Sequence, residues 1–92
     1  MIYLDSYFLF RGLDMSINKD ELLKRIGHRL KVLRANSGLK QTELQDKTGI
    51  DQANISSYER GVKPFSIVDL FKLAEGLGCK VTDIVDIDKA LA

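Results

Sequence analysis

Residues 51–61 read DQANISSYERG. Asp51 has the chemistry of a helix N-cap, whose carboxylate accepts from a free backbone N–H of the first turn. Gly61 stands where a left-handed residue ends a helix. Between them Ile55, Tyr58 and Val62 recur at three- and four-residue spacing and form one apolar stripe. Gln52, Ala53, Ser56, Ser57 and Arg60 lie off that stripe, and Asn54 flanks it. The outward face is small, rich in amides and carries one arginine. A face that only meets solvent more often carries Glu and Lys, so this one calls for a different partner.

Just upstream, LKQTELQDKTGI turns Leu39, Leu44 and Ile50 inward and predicts a short helix over about 41–48 with a turn at Gly49. Before it, Asn18 caps a longer helix, KDELLKRIGHRLKVLRANSG, with apolar residues at Leu22, Ile26, Leu30 and Leu33. Asp20 and Glu21 in its first turn and Arg34 in its last suit the helix dipole, and Gly38 ends it. Downstream, Ser66 opens SIVDLFKLAEGLG with Asp69 as a capping-box partner. Ile67, Leu70, Phe71, Ala74 and Leu77 are its expected buried face, and Gly78 stops it. Thr82 is the expected cap of a last helix, TDIVDIDKALA, with Ile84, Val85, Ile87 and Leu91 along it. Five helices, short loops and no strand signal over residues 18–92 predict a compact all-α domain.

Residues 1–17 stand apart as an apolar extension or arm. In IYLDSYFLF both alternating faces are apolar, which fits a strand buried on two sides or a tightly packed helix. Uncovered in water such a segment invites aggregation. Three arrangements remain open: an arm packed in a dimer, an arm packed on its own domain, and a poorly ordered extension. Met15 is a second candidate start, because MSINKDELL onward reads as a domain by itself.

Composition narrows the function classes. No apolar run approaches the ~18 residues that span a membrane, and the first ten residues lack the basic flank of a signal peptide. A single cysteine, Cys79, excludes an internal disulfide and suits a reducing, cytoplasmic setting. With one histidine, His28, no metal cluster or Cys–His dyad assembles within one chain, so no metal, cofactor or small-molecule ligand is expected. His28 is read as a surface helix residue and Cys79 as a small buried apolar group. Asp83, Asp86 and Asp88 lack the glycine and terminal glutamate of a calcium loop. Ser56 and Ser57 have no general base nearby, and the chain is read as a non-enzyme.

The net charge is +1, yet its distribution is uneven. Residues 19–63 hold ten Lys/Arg against six Asp/Glu, a local balance of +4, while residues 64–92 balance at −2. Positive charge therefore gathers around the opening stretch, as a polyanion partner favours. Two short helices joined by the tight turn TGID suggest a helix-turn-helix, whose second helix enters the DNA major groove by its N-terminal residues. Amides at that end then have a purpose. Gln or Asn donates to adenine N7 and accepts from its N6 amino group, worth roughly 1–3 kcal/mol of discrimination. Small neighbours such as Ala53 and Ser57 allow close approach.

The chain resembles the lambda-repressor/Cro-like helix-turn-helix family, also called the XRE family, from about Ile26 to Val85. The resemblance rests on RLKVLR, the SGLKQTEL entry, the TGI turn, ISSYERG and the KLAEGLG helix end, in that order and spacing. It implies a lambda-repressor-like domain and a sequence-specific regulator of transcription, read as a repressor, whose partner is double-stranded DNA. By position, Gln41 resembles the glutamine that bonds a phosphate and braces the first residue of the recognition helix. That residue is Gln52, the leading base reader, with Ala53, Asn54, Ser56 and Ser57 on the rest of the variable DNA face. Lys40, Arg60 and Lys63 take phosphate positions, and Arg34 with Glu59 resembles a structural ion pair. Three departures stand out: Lys40 where Thr or Ser is common, Gln45 where a small alanine usually packs, and Pro64 one residue early. Gln45 is expected to loosen the helix crossing.

One recognition helix reads only about 4–5 base pairs, so a homodimer on a pseudo-palindromic operator is expected. Ile84, Val85, Ile87 and Leu91, together with Tyr7 and Phe8 of the arm, are the apolar residues expected at its interface. The alternative is an antitoxin-like module that uses the same fold to bind a protein.

Overall fold

In a computed structural model of the protein, residues 18–86 are described and form five helices. They are α1 (Lys19–Asn36), α2 (Gln41–Thr48), α3 (Gln52–Arg60), α4 (Ile67–Leu77) and α5 (Val81–Ile84). No strand occurs among the described residues, so the all-α expectation holds for them. The arm with Tyr7 and Phe8, and Ile87 and Leu91 near the C-terminus, lie outside the described residues. Among the described residues no helix is long and apolar enough to cross a membrane.

The helix ends follow from local chemistry. Asn18 Oδ1 accepts from the Glu21 N–H at 3.0 Å, and Ser66 Oγ accepts from the Asp69 N–H at 3.0 Å. Lys40 has no acceptor to offer α2; instead Glu43 Oε1 accepts from the Lys40 backbone N–H at 2.8 Å, which is half of a capping box. The Glu43 carboxylate in the first turn offsets the cation that precedes it. At Gly49 the backbone turns left-handed, with φ 75°, to close α2 before α3 begins.

Two expected ends are corrected. α5 starts after Lys80, not at Thr82, because Asp83 Oδ2 accepts from the Lys80 N–H at 2.9 Å and sets the first turn there. Asp69 completes no capping box; its carboxylate accepts from the Tyr58 hydroxyl at 2.5 Å instead. That bond ties α3 to α4, and the Tyr58 ring stacks on Phe65 with centroids 4.5 Å apart. Burial pushes the Tyr58 phenol above its ordinary pKa, and the bond to Asp69 adds to the rise.

Leu30, Leu44, Ile50, Ile55, Tyr58, Leu73, Ala74 and Ile84 make the core. Three expectations about apolar faces fail against it. Ile84 is fully buried within the monomer, so it has no surface to give a dimer interface; Val85 packs partly buried beside it. On α4 the inward stripe is Leu70, Leu73, Ala74 and Leu77, whereas Ile67 and Phe71 are 66% and 62% exposed. The helix carries two adjacent apolar stripes, and periodicity alone does not say which one faces the core. Val62 is exposed as well, because the left-handed turn at Gly61 takes it off the pitch of α3.

α1 crosses α3 with backbone nearly touching backbone. A Cβ on Gly27 would lie 2.2 Å from the Tyr58 carbonyl oxygen and 2.8 Å from that of Glu59. Only glycine fits, and Gly27 therefore sets how near α1 comes to α3. Gly27→Ala is expected to cost about 1–3 kcal/mol through overpacking, measured by urea unfolding. An unchanged unfolding midpoint would show that the crossing opens freely.

Candidate nucleic-acid interface

Glu59 lies on the inner side of α3 and is 7% exposed. A carboxylate so placed needs a paired cation and filled lone pairs. Arg34, at the end of α1, supplies the first: Nε donates to Glu59 Oε2 at 2.5 Å and Nη2 to Oε1 at 2.9 Å. Nη1 donates to the Leu39 carbonyl at 2.7 Å, so the same guanidinium holds the α1–α2 loop. The hydrogen bond to Glu59 holds the Arg34 guanidinium above its ordinary pKa, against the opposing effect of burial. The Arg34–Glu59 pair is thus formed as the family resemblance implies.

From Glu59 the bonding runs outward to the surface. Gln41 Nε2 donates to Glu59 Oε1 at 2.9 Å, and Gln52 Nε2 donates to Gln41 Oε1 at 2.6 Å. The order of this relay is forced. Glu59 accepts only, so Gln41 must turn its amino group inward and its carbonyl toward Gln52. Gln52 must answer with its own amino group. One N–H of that group and Oε1 are left over, a donor and an acceptor side by side at the start of α3. The bracing expected between Gln41 and Gln52 is present.

Asn54 and Lys63 are also brought together, since Lys63 Nζ donates to Asn54 Oδ1 at 2.8 Å and lies 5.3 Å from the Tyr58 ring centroid. With one lone pair of its oxygen engaged, Asn54 still has its two N–H donors and one acceptor site to offer. Arg60 folds back along α3, with long contacts of 3.3 and 3.4 Å to the Ser56 and Ser57 hydroxyls. Ala53 and Lys40 are exposed. Gln41, Gln52, Asn54, Ser56, Ser57 and Lys63 are half-buried, with Arg60 exposed at the far end of α3.

Two residues depart from their expected roles. Asp51 makes no side-chain cap bond. Gln45 serves the same end of α3 from across the turn: its Oε1 accepts from the Gln52 backbone N–H at 2.6 Å between the two helices. Gln45 therefore fastens the crossing that it was expected to loosen. The available signal was its position four residues after Gln41, on one face of α2. His28 is exposed as expected; Cys79 is only half-buried, and burial raises its thiol pKa. Among the described residues no group of His, Cys, Asp and Glu is placed to hold a metal.

The helix-turn-helix family model matches residues 30–84, from mid-α1 through α5. The chain belongs to the XRE-type helix-turn-helix family of DNA-binding transcription regulators. Its relatives include the HTH-type transcriptional regulator y4dJ of Sinorhizobium fredii, 32% identical over 65 residues, 71% of this chain and 84% of that protein. Antitoxin HipB of Escherichia coli K12 is 31% identical over 68 residues, 74% of this chain and 77% of HipB. Among solved structures, the restriction-modification controller protein C.AhdI of Aeromonas hydrophila is 34% identical with a TM-score of 0.66, covering 67% of this chain and 94% of C.AhdI. The controller protein C.Esp1396I, solved as a tetramer on its natural 35-base-pair operator, is 26% identical with a TM-score of 0.68. That match covers 77% of this chain and 96% of C.Esp1396I.

The buried pair carries the site, and it has a measurable weight. Glu59→Ala leaves the Arg34 guanidinium, 13% exposed, without its partner and is expected to cost about 3–5 kcal/mol. Chemical denaturation measures this. A loss below about 1 kcal/mol would remove the pair from the foundation of the site.

Proposed function

We propose that the protein is a sequence-specific repressor that binds double-stranded DNA as a homodimer on a pseudo-palindromic operator. The relay from Glu59 through Gln41 to Gln52 carries this reading. It leaves at the mouth of α3 the donor–acceptor pair that matches adenine N7 and N6 in the major groove. A face built for solvent alone has no use for an amide oriented by a buried carboxylate. Lys40, Gln41, Arg60 and Lys63 surround it as phosphate partners, and Lys63 must exchange Asn54 for a phosphate or hold both. The controller proteins among its relatives and the operator complex of C.Esp1396I support this class of activity.

The dimer surface belongs on α4, not on Ile84. Ile67, Val68 and Phe71 are more than half exposed and open onto a groove of about 1000 Å³ whose other wall is Cys79, Val81 and Thr82. Lys72, Lys80 and Glu75 edge the groove with both signs of charge, a self-complementary arrangement for a two-fold contact. A second reading, the antitoxin-like module, has the likeness to HipB behind it. A salt-dependent gel shift on duplex DNA separates it from the first.

Gln52→Ala is expected to lose roughly 1–3 kcal/mol on the best site and to relax preference at one or two base pairs in a selection from a random duplex pool. Lys63→Ala should weaken all sequences alike and lower the salt slope by about one unit. Identical selected motifs for Gln52→Ala and wild type would rule Gln52 out as a reader. For the assembly, sedimentation at micromolar concentration should give a dimer for the wild type and a folded monomer for Phe71→Glu. A wild type that stays monomeric free and on DNA contradicts the dimer.

A further inference from the structure

α3 begins with a bond that its own cap residue does not make. Asp51 has the right chemistry and the right position, yet its side chain makes no cap hydrogen bond. The Gln52 N–H, one position before the donors that an Asp51 cap would serve, goes to Gln45 Oε1 at 2.6 Å. A local cap satisfies an N–H but places no restraint between helices. A cap drawn from α2 does both, because the same bond fixes the start of α3 against its neighbour. Gln52 is then held at two points, by its backbone to Gln45 and by its side chain to Gln41 Oε1 at 2.6 Å. Gln41 and Gln45 lie one helical turn apart on one face of α2. Two anchors spaced along a rigid helix fix the rotation of the first turn of α3 about its own axis, which one anchor does not. That rotation decides where the remaining amide edge of Gln52 points.

From this geometry we infer that Gln45 is a positioning residue for base recognition: through the Gln52 N–H, a donor that an Asp51 cap does not serve, it aims the first turn of the recognition helix. The inference rests on the DNA-reading function proposed above. Gln45 contacts no base in this role, and its effect passes entirely through Gln52. An acceptor at that place is what counts, so a carboxylate serves as well as an amide, whereas a thioether of similar length fills the space and accepts only weakly.

The test uses the full chain with Gln45→Met, Gln45→Glu and Asp51→Ala. Amide hydrogen exchange, followed by NMR without DNA, should be about tenfold faster at the Gln52 N–H in Gln45→Met and unchanged in Gln45→Glu and Asp51→Ala. Selection from a random duplex pool should then show that Gln45→Met loses several-fold in base preference at the pairs affected by Gln52→Ala. Gln45→Glu should keep the wild-type preference while binding every sequence more weakly, since it adds a negative charge near phosphates. Protection retained in Gln45→Met, or lost in Asp51→Ala, overturns the inference. So does equal blurring of the motif in Gln45→Met and Gln45→Glu, which would make the amide rather than its acceptor the agent. If the wild type selects no motif, the DNA reading fails, and this role for Gln45 falls with it even where the exchange rates behave as stated.

Discussion

A carboxylate buried on the inner side of a recognition helix is costly unless it is paired with a cation and further hydrogen-bonded. Glu59 meets that demand with Arg34 on one side and Gln41 on the other, and much of the interface is arranged by those commitments. Arg34 fastens α1 to α3 and also holds the Leu39 carbonyl at the entry to α2. Gln41 passes the polarity of the carboxylate to Gln52, so an electrostatic constraint inside the protein dictates which atoms a half-buried amide presents at the surface. Replacing such a pair by apolar residues can raise stability. In this protein that exchange would leave the Gln41 amide free to turn over and Gln52 without a fixed orientation.

Steric closeness works alongside that bond. Gly27 lets α1 approach the carbonyls of Tyr58 and Glu59, which brings Arg34, about two turns further along α1, within bidentate reach of Glu59. Tyr58, next to Glu59 in sequence, faces the other way round the helix and anchors α3 to α4 through Asp69 and Phe65. The recognition helix is therefore gripped from α1, α2 and α4 and keeps only its outer side free. Pre-organisation of this kind lowers the entropy lost when side chains order against DNA.

The sequence carried the helices well, because caps and glycine stops sit close to each element: Asn18, Ser66, Gly49, Gly61 and Gly78 all end helices where expected. It carried the Arg34–Glu59 pair and the Gln41–Gln52 brace only through the family's motif spacing, since neither follows from periodicity. What it concealed were choices between equivalent chemistries. Asp51 offered an acceptor to the first turn of α3 yet makes no side-chain cap bond, while the Gln52 N–H is met from α2 by Gln45. Ile67 and Phe71 looked as buried as Leu70 and Ala74 while Leu73 did not, because α4 is apolar on two stripes and only the packing of α5 and α2 selects one. Ile84 reads with Val85 as part of one apolar seam, and only the packing of α5 shows that its side chain lies wholly in the core.

An NMR titration of the labelled protein with a duplex carrying its selected site tests the central claim most directly. The account predicts the largest shifts at the side-chain amides of Gln52 and Asn54 and along the backbone of α3, while the Arg34 Nε–H resonance, locked to Glu59, stays in place. Shifts concentrated on Ile67, Val68 and Phe71 of α4, with the Gln52 amide unmoved, would contradict it.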